Sequence, residues 1–113
     1  MASPLHNYLR MYRKRAGFSQ AEMAFLLGTK SAAKVSRYEH GHRQPSLQTL
    51  LTYEVALRVL ARELFARAFR DIENVTKRYA LSLAKKLKTE GSNTRTLRKI
   101  QLLQEIAQLK HNR

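Results

Sequence analysis

The stretch SQAEMAFLLGTKSAAKVSRYEHGHRQP, residues 19–45, decides the fold. Ser19 is a good helix N-cap, and Glu22 three residues later makes a capping box, in which each side chain serves the other residue's backbone N–H. The helix so opened runs to about Leu27 and buries Met23, Ala24 and one of Leu26 and Leu27. Gly28 ends it at a turn position that needs a positive φ, cheap only for glycine. Thr29, Lys30 and Ser31 form the turn, and Ser31 caps a second short helix from about Ala32 to Glu39. Val35 and Tyr38 point inward at i, i+3, while Lys34 and Arg37 share the other side at the same spacing. Gly41 closes this helix, and His42 to Pro45 is a polar loop.

Two short helices that cross steeply and closely form a helix-turn-helix. Ala24 fits the crossing, where a larger side chain would push the helices apart, and Val35 anchors the second helix in the core. The exposed side of that helix then carries Ala32, Ala33, Lys34, Ser36 and Arg37, free to enter a DNA major groove. The two helix N-termini, at Gln20 and Ser31, present backbone N–H groups that suit phosphates.

Upstream, Leu5 to Ala16 reads as a first helix with Leu5, Leu9 and Tyr12 on its inner face. Its basic run, Arg10, Arg13, Lys14 and Arg15, is either a phosphate-contacting or a solvated face, and Gly17 stops it. Downstream, Ser46 caps a fourth helix whose core residues are expected to be Leu47, Leu50, Leu51 and Val55, with Tyr53 beside them. A break is expected between Arg58 and Ala61, although no Gly or Pro marks it. From Arg62 a fifth, long amphipathic helix of about 25 residues carries the stripe Phe65, Ala68, Ile72, Val75, Tyr79, continued by Leu83 and Leu87. Glu63–Arg67 and Glu73–Lys77 are i, i+4 pairs in the favoured order. Lys88 to Asn93 is a linker, and a last helix to about Lys110 presents Leu97, Ile100, Leu103 and Ile106. A short link between two amphipathic helices implies an antiparallel hairpin.

The whole chain has 113 residues with 22 Lys and Arg against 8 Asp and Glu, a net charge of +14, and a pI near 10.8. Such an excess is the electrostatic footprint of a nucleic-acid binder. An anionic membrane surface would attract it too, but no run approaches the length of a membrane span. Without cysteine, disulfides, Cys-based zinc fingers and thiol catalysis are excluded. No secretory leader is visible at the start, which points to a cytoplasmic, bacterial-type setting near the nucleoid. The four histidines, His6, His40, His42 and His111, are too scattered for a metal, and no nucleophile–base spacing or glycine-rich phosphate loop is present. Neither an enzyme nor a cofactor is expected.

Residues 5 to about 70 resemble the Cro/cI-type (XRE) helix-turn-helix family. The resemblance rests on Leu9, Arg13, Gly17, Ser19-Gln20, Ala24, Leu27-Gly28, Val35-Ser36-Arg37-Tyr38-Glu39, Gly41, Arg43, Pro45 and Leu50. One departure is visible: the step from Gly28 to Val35 is one residue longer than the family usually has, with the extra residue in Thr29–Ser31. Roles are therefore carried back from Val35 rather than forward from Gly28.

The resemblance implies an all-α fold: a five-helix Cro/cI-like domain over residues 1–70, its third helix in the major groove, usually as a dimer on a pseudo-palindromic operator. Residues 71–113 read as a basic helical extension whose apolar stripe can cover the helix-turn-helix core, dock on the last helix or form a dimer interface; an exposed apolar face of that length points to dimerisation, through Ile72, Val75, Tyr79, Leu83, Leu87, Ile100, Leu103 and Ile106. Base contacts fall to Arg37, Lys34, Ala32, Ala33 and Ser36. Arg37 can grip guanine O6 and N7, or else pair with Glu39, Glu22 or a phosphate; Lys34 can reach a base or a phosphate. The two alanines can meet thymine methyls, or be small only to avoid a clash. Phosphate contacts fall to Gln20, Ser31, Lys30, Arg43, His42 and Arg13. The function so implied is a sequence-specific transcriptional regulator, a repressor, acting on double-stranded DNA as a homodimer. The rival is an antitoxin-like or adaptor protein that holds a protein partner through its C-terminal helices. A non-specific nucleoid or RNA binder would explain the charge but not Ala24, Gly28 and Val35 at their spacing.

Overall fold

The computed structural model describes residues 5–110, and all their regular structure is helical. In chain order the helices are α1 (Leu9–Ala16), α2 (Gln20–Leu26), α3 (Ala32–Glu39), α4 (Leu47–Leu57), α5 (Ala61–Leu64), α6 (Ala66–Lys88) and α7 (Thr94–Ala107). The chain divides into one compact unit that ends at Phe69 and a second that starts at Arg70. His111 lies outside the described residues.

The first unit is built around one core of Leu9, Met23, Ala24, Val35, Tyr38, Tyr53, Leu57, Leu64 and Phe65, drawn from α1 to α5 and the residue after α5. Local chemistry sets the ends of its helices. The capping box of α2 is complete: Glu22 N–H donates to Ser19 Oγ at 3.0 Å and Ser19 N–H to Glu22 Oε1 at 2.8 Å. Ser31 and Ser46 accept from the backbone N–H of Lys34 and Thr49, as N-caps do. Gly28 takes φ +78 after α2, and the turn Thr29–Ser31 follows.

Four expectations need correction. The first helix starts at Leu9, not Leu5, because Asn7 Oδ1 accepts from Leu9 N–H and releases the preceding residues to run elsewhere. Leu5 N–H donates to Gly41 O at 3.0 Å, and Asn7 Nδ2 donates to Tyr38 O at 2.9 Å, so this segment is laced to the end of α3. In α4 the inward line is Leu50, Tyr53 and Leu57; Leu47, Leu51 and Val55 face solvent. That helix is apolar nearly all round, so periodicity alone could not choose its buried side. Thirdly, the long fifth helix is interrupted: after α5, Phe65 leaves helical geometry at φ −123, ψ 49, and α6 begins at Ala66. The Leu64 carbonyl accepts from Tyr8 N–H at 2.8 Å, a bond that joins the end of α5 to the start of α1. Glu63 and Arg67 consequently stand on different helices and are no i, i+4 pair. Lastly, α7 ends at Ala107 rather than near Lys110. The break between α4 and α5 does fall at Arg58, which takes the left-handed φ of 56 that Gly usually supplies.

The Tyr53 ring is wholly buried, edge-on to Tyr38 with centroids 6.3 Å apart, and its hydroxyl has no hydrogen-bond partner among the described residues. A buried unsatisfied donor costs ~1–3 kcal/mol. Tyr53→Phe is therefore expected to raise stability by about 1 kcal/mol in urea unfolding. Burial first, then the Glu39 carboxylate and Tyr38, pushes the Tyr53 phenol well above its ordinary 10.0. A raised folded-state value holds the proton on the native protein, so stability is complete below pH 10 and declines as pH climbs above it. The Tyr53→Phe variant should lack that residue's share of the alkaline decline; a variant with an unchanged alkaline slope would contradict the assignment.

In the second unit, α6 and α7 each bury one side. Ala80 and Ala84 on α6 and Ile100 on α7 are buried, while Leu87, Leu103, Ile106 and Ala107 are half-buried. Asn93 caps α7 by accepting from Thr96 N–H at 2.8 Å.

Candidate nucleic-acid interface

α3 packs chiefly on α2 and also meets α1. Val35 and Tyr38 hold its inner side, at 0% and 5% exposure. The last residue of α3, Glu39, faces both neighbouring helices. Its carboxylate accepts from Arg13 Nε and Nη2 on α1 and, at 3.1 Å, from Gln20 Nε2 on α2. Arg13 Nη1 reaches the Phe18 carbonyl at 2.8 Å, just ahead of α2. One buried carboxylate thus joins all three helices of the reading unit. The Arg13 guanidinium beside it is held even more firmly protonated than usual, with the Glu39 hydrogen bond outweighing the effect of burial.

This geometry corrects one expected contact. Arg13 is 6% exposed and its donors are turned onto Glu39 and Phe18, so it is an internal strut rather than a phosphate ligand. Its neighbours Arg10, Lys14 and Arg15 are exposed, and Arg15 lies over the Tyr12 ring at 5.4 Å. Gln20 is half-buried and spends one amide hydrogen on Glu39, which places it at the joint between α2 and α3.

The outer side of α3 is open. Ala33 and Arg37 are exposed one turn apart; Ala32, Lys34 and Ser36 flank them, half-exposed. The Arg37 side chain has no hydrogen bond or ion pair among the described residues, and both carboxylates named as its alternatives are occupied: Glu39 by Arg13 and Gln20, Glu22 by the capping box. Lys30 in the turn and His42 and Arg43 in the following loop are exposed as well. Ser31 Oγ caps α3 by accepting from Lys34 N–H, which leaves its own O–H hydrogen to donate to an outside anion.

Sequence reasoning missed His40 on this side. It follows Arg37 by three residues, is exposed, and its Nδ1 sits 2.7 Å from the Ser36 carbonyl, an oxygen that can only accept. The proton therefore lies on Nδ1 and leaves Nε2 directed outward. His40 stacks on His42 with centroids 5.9 Å apart. The i, i+3 step from Arg37 was the available signal. No cluster of three His, Asp or Glu residues suited to a metal occurs among the described residues. None of their helices is long and apolar enough to cross a membrane.

The arrangement is a rigidly held short helix with an open, uncapped flank of one arginine and small side chains, bordered by cations. A family model described as helix-turn-helix matches residues 9–64, which are the first residue of α1 and the last of α5. Nothing among curated proteins or solved structures matches the chain.

Proposed function

We propose that this chain, a member of the Cro/cI-type helix-turn-helix family through residues 9–64, represses transcription by seating α3 in the major groove of an operator, as a dimer. That it is a DNA-binding transcriptional regulator of this type follows from the family; the groove, the dimer and the sign of regulation are the proposal. The observation that carries it is the Glu39 hub, which fixes α3 on α1 and α2 while leaving Ala33 and Arg37 free to meet base edges. Affinity comes mainly from Lys and Arg neutralising phosphates, with release of condensed counterions. Specificity comes from few side chains, Arg37 foremost, with Lys34, Ala32, Ala33 and Ser36 beside it. Lys30, Ser31, Gln20, His42 and Arg43 border the groove as backbone contacts.

Selection of bound duplexes from a random pool tests this. The expected outcome is a palindrome with half-sites about 10 bp or a multiple apart; recovery of unrelated sequences would leave only non-specific binding. On that operator, Arg37→Ala should relax discrimination at one base position by ~1–3 kcal/mol, and equal loss on every variant sequence would remove Arg37 from base reading. Arg43→Ala should weaken all duplexes alike and lower the salt slope by about 1. An adaptor reading keeps the same DNA-binding unit, and the exposed Leu47, Leu51 and Val55 on α4 favour it. A stoichiometric protein complex that forms through those residues, without operator selectivity, would replace the repressor reading.

A further inference from the structure

The reading unit holds only part of the chain's positive charge. Residues 70–113 carry eleven Lys and Arg, half of the 22, against four Asp and Glu. These charges are unevenly spread. On the first half of α6, Arg67 stands four residues from Asp71 and Arg70 three from Glu73, so charge there is balanced along the helix. From Lys85 to Lys99, six cations meet a single acid, Glu90. They are Lys85, Lys86 and Lys88 at the end of α6 and Arg95, Arg98 and Lys99 at the start of α7. All six are exposed, and none of their side chains has a hydrogen bond or ion pair among the described residues. The five-residue link between the helices, 89–93, spans at most ~18 Å. Its start turns back on α6, with Thr89 N–H donating to the Lys86 carbonyl and Glu90 N–H to that of Leu87, which draws the two groups closer.

Local stability does not call for this arrangement. The lysines suit the C-terminal end of α6, but Arg95 stands in the first turn of α7, where the helix dipole favours acids and none is present. Arg98 and Lys99, at i+3 and i+4 from Arg95, add like-charge repulsion. A bound anion relieves both. The surroundings of the cations select the anion. Ser92, Asn93 and Thr94 lie exposed between the two groups and offer hydroxyl and amide hydrogens to phosphate oxygens. No Phe, Tyr or Trp occurs between Lys85 and Lys99, so the segment has no platform on which the bases of a single strand could stack. It is also poor in the apolar side chains that enter a lipid interface, with only Leu97 of its two leucines exposed. The exposed apolar line Ile72, Val75, Tyr79 and Leu83 ends before the patch, and Ile100, expected beside that line in a dimer interface, is buried at 8%. A backbone of phosphodiesters with its bases stacked away fits these features. DNA is the nucleic acid that the helix-turn-helix unit of the same chain binds.

We infer that Lys85, Lys86, Lys88, Arg95, Arg98 and Lys99 form a second, sequence-independent site for the phosphate backbone of duplex DNA. The site belongs to the second unit and the reading helix to the first. It goes beyond the repressor reading and does not depend on it. Tethered to a unit that is itself on DNA, the patch meets phosphates at a high effective concentration and adds affinity common to every sequence.

Binding of the full chain to a random-sequence duplex over a range of salt concentrations measures the site. Replacing Arg95, Arg98 and Lys99 together by Gln, a comparable helix former, should make the slope of log K against log salt shallower by ~2–3 and weaken binding at low salt at least about tenfold. Lys85→Gln with Lys86→Gln and Lys88→Gln should do the same, with helix content unchanged by circular dichroism in both sets. A control set, Arg67→Gln with Arg70→Gln and Arg78→Gln, removes as much charge from exposed positions of α6 and should change the slope by less than about 1. In the unaltered chain, added duplex should slow acetylation of Lys85, Lys86, Lys88 and Lys99 but not of Lys110. Equal slopes in the patch and control sets overturn the inference, since diffuse charge then accounts for the binding. So does protection confined to Lys30 and Lys34. Patch-dependent binding that is tighter to single-stranded DNA, to duplex RNA or to phosphatidylserine vesicles than to duplex DNA overturns it too. An operator selected by a chain whose patch variants keep the full slope defeats this site and leaves the repressor reading standing. A patch-dependent slope in a chain that selects no operator upholds the site and defeats that reading instead.

Discussion

Glu39→Ala is expected to cost the first unit ~3–5 kcal/mol in urea unfolding, the usual cost of removing one partner from a buried ion pair. The Glu39 side chain is 1% exposed and that of Arg13 7%, so the guanidinium left behind has almost no water to turn to. It would keep one neutral acceptor, the Phe18 carbonyl. Gln20 would lose the acceptor that ties α2 to α3. Glu39→Gln preserves shape and one acceptor but not the charge, and should fall between wild type and alanine. The large cost does not mean that the pair contributes as much to stability, because desolvation of both ions offsets most of their attraction. The double variant Arg13→Met with Glu39→Leu, which removes both charges and keeps apolar bulk, should therefore recover most of the loss. A loss below about 1 kcal/mol for Glu39→Ala would be the behaviour of a water-screened surface pair, and the hub would be no hub.

The same residues show how far the sequence carries. α2, the turn and α3 were legible because their signals are local: Ser19 with Glu22, Gly28, Ser31, and Val35 with Tyr38. Arg13 matches a position of the family's pattern, but nothing local separates its role from that of Lys14 and Arg15. Only the turn of α1 onto Glu39, twenty-six residues later, makes it internal. Asn7 was hidden inside an apolar pattern that suggested helix, and its real partners lie at the far end of α3. The interruption at Phe65 had no Gly or Pro to announce it, because it coincides with a tertiary hydrogen bond from Tyr8. On α4 the apolar residues are plain in the sequence, but they form two lines, Leu50, Tyr53 and Leu57 turned inward and Leu47, Leu51 and Val55 turned to solvent. Periodicity gives a direction around a helix; it does not say which of two directions the core takes.

That contrast between local and tertiary requirements is sharpest for two glycines. Gly28 and Gly41 have nearly the same φ, +78 and +75. An alanine at Gly28 would find no atom within 4 Å of its Cβ, so only the left-handed backbone resists it. At Gly41 the added Cβ would collide with the Leu5 carbonyl oxygen and stand 2.6 Å from the Leu5 nitrogen. Those are backbone atoms, and a side chain cannot swing aside to relieve them. Gly28→Ala should thus cost ~1–2 kcal/mol, the strain of an L-residue in the left-handed region. Gly41→Ala should cost ~2–5 kcal/mol, because displacing Leu5 adds the loss of its bond to Gly41 and of the one Asn7 donates to its carbonyl, ~0.5–1.5 kcal/mol each. The damage should also be directional. Freeing the Leu5–Asn7 segment loosens Asn7 from the Tyr38 carbonyl, and amide exchange should quicken at Leu5 and Leu9 before it does in α2. Comparing the two variants by urea unfolding isolates the contact from the strain. Equal losses would mean that the N-terminal segment yields freely to the methyl group, and that its lacing to α3 contributes nothing to the stability of the reading unit.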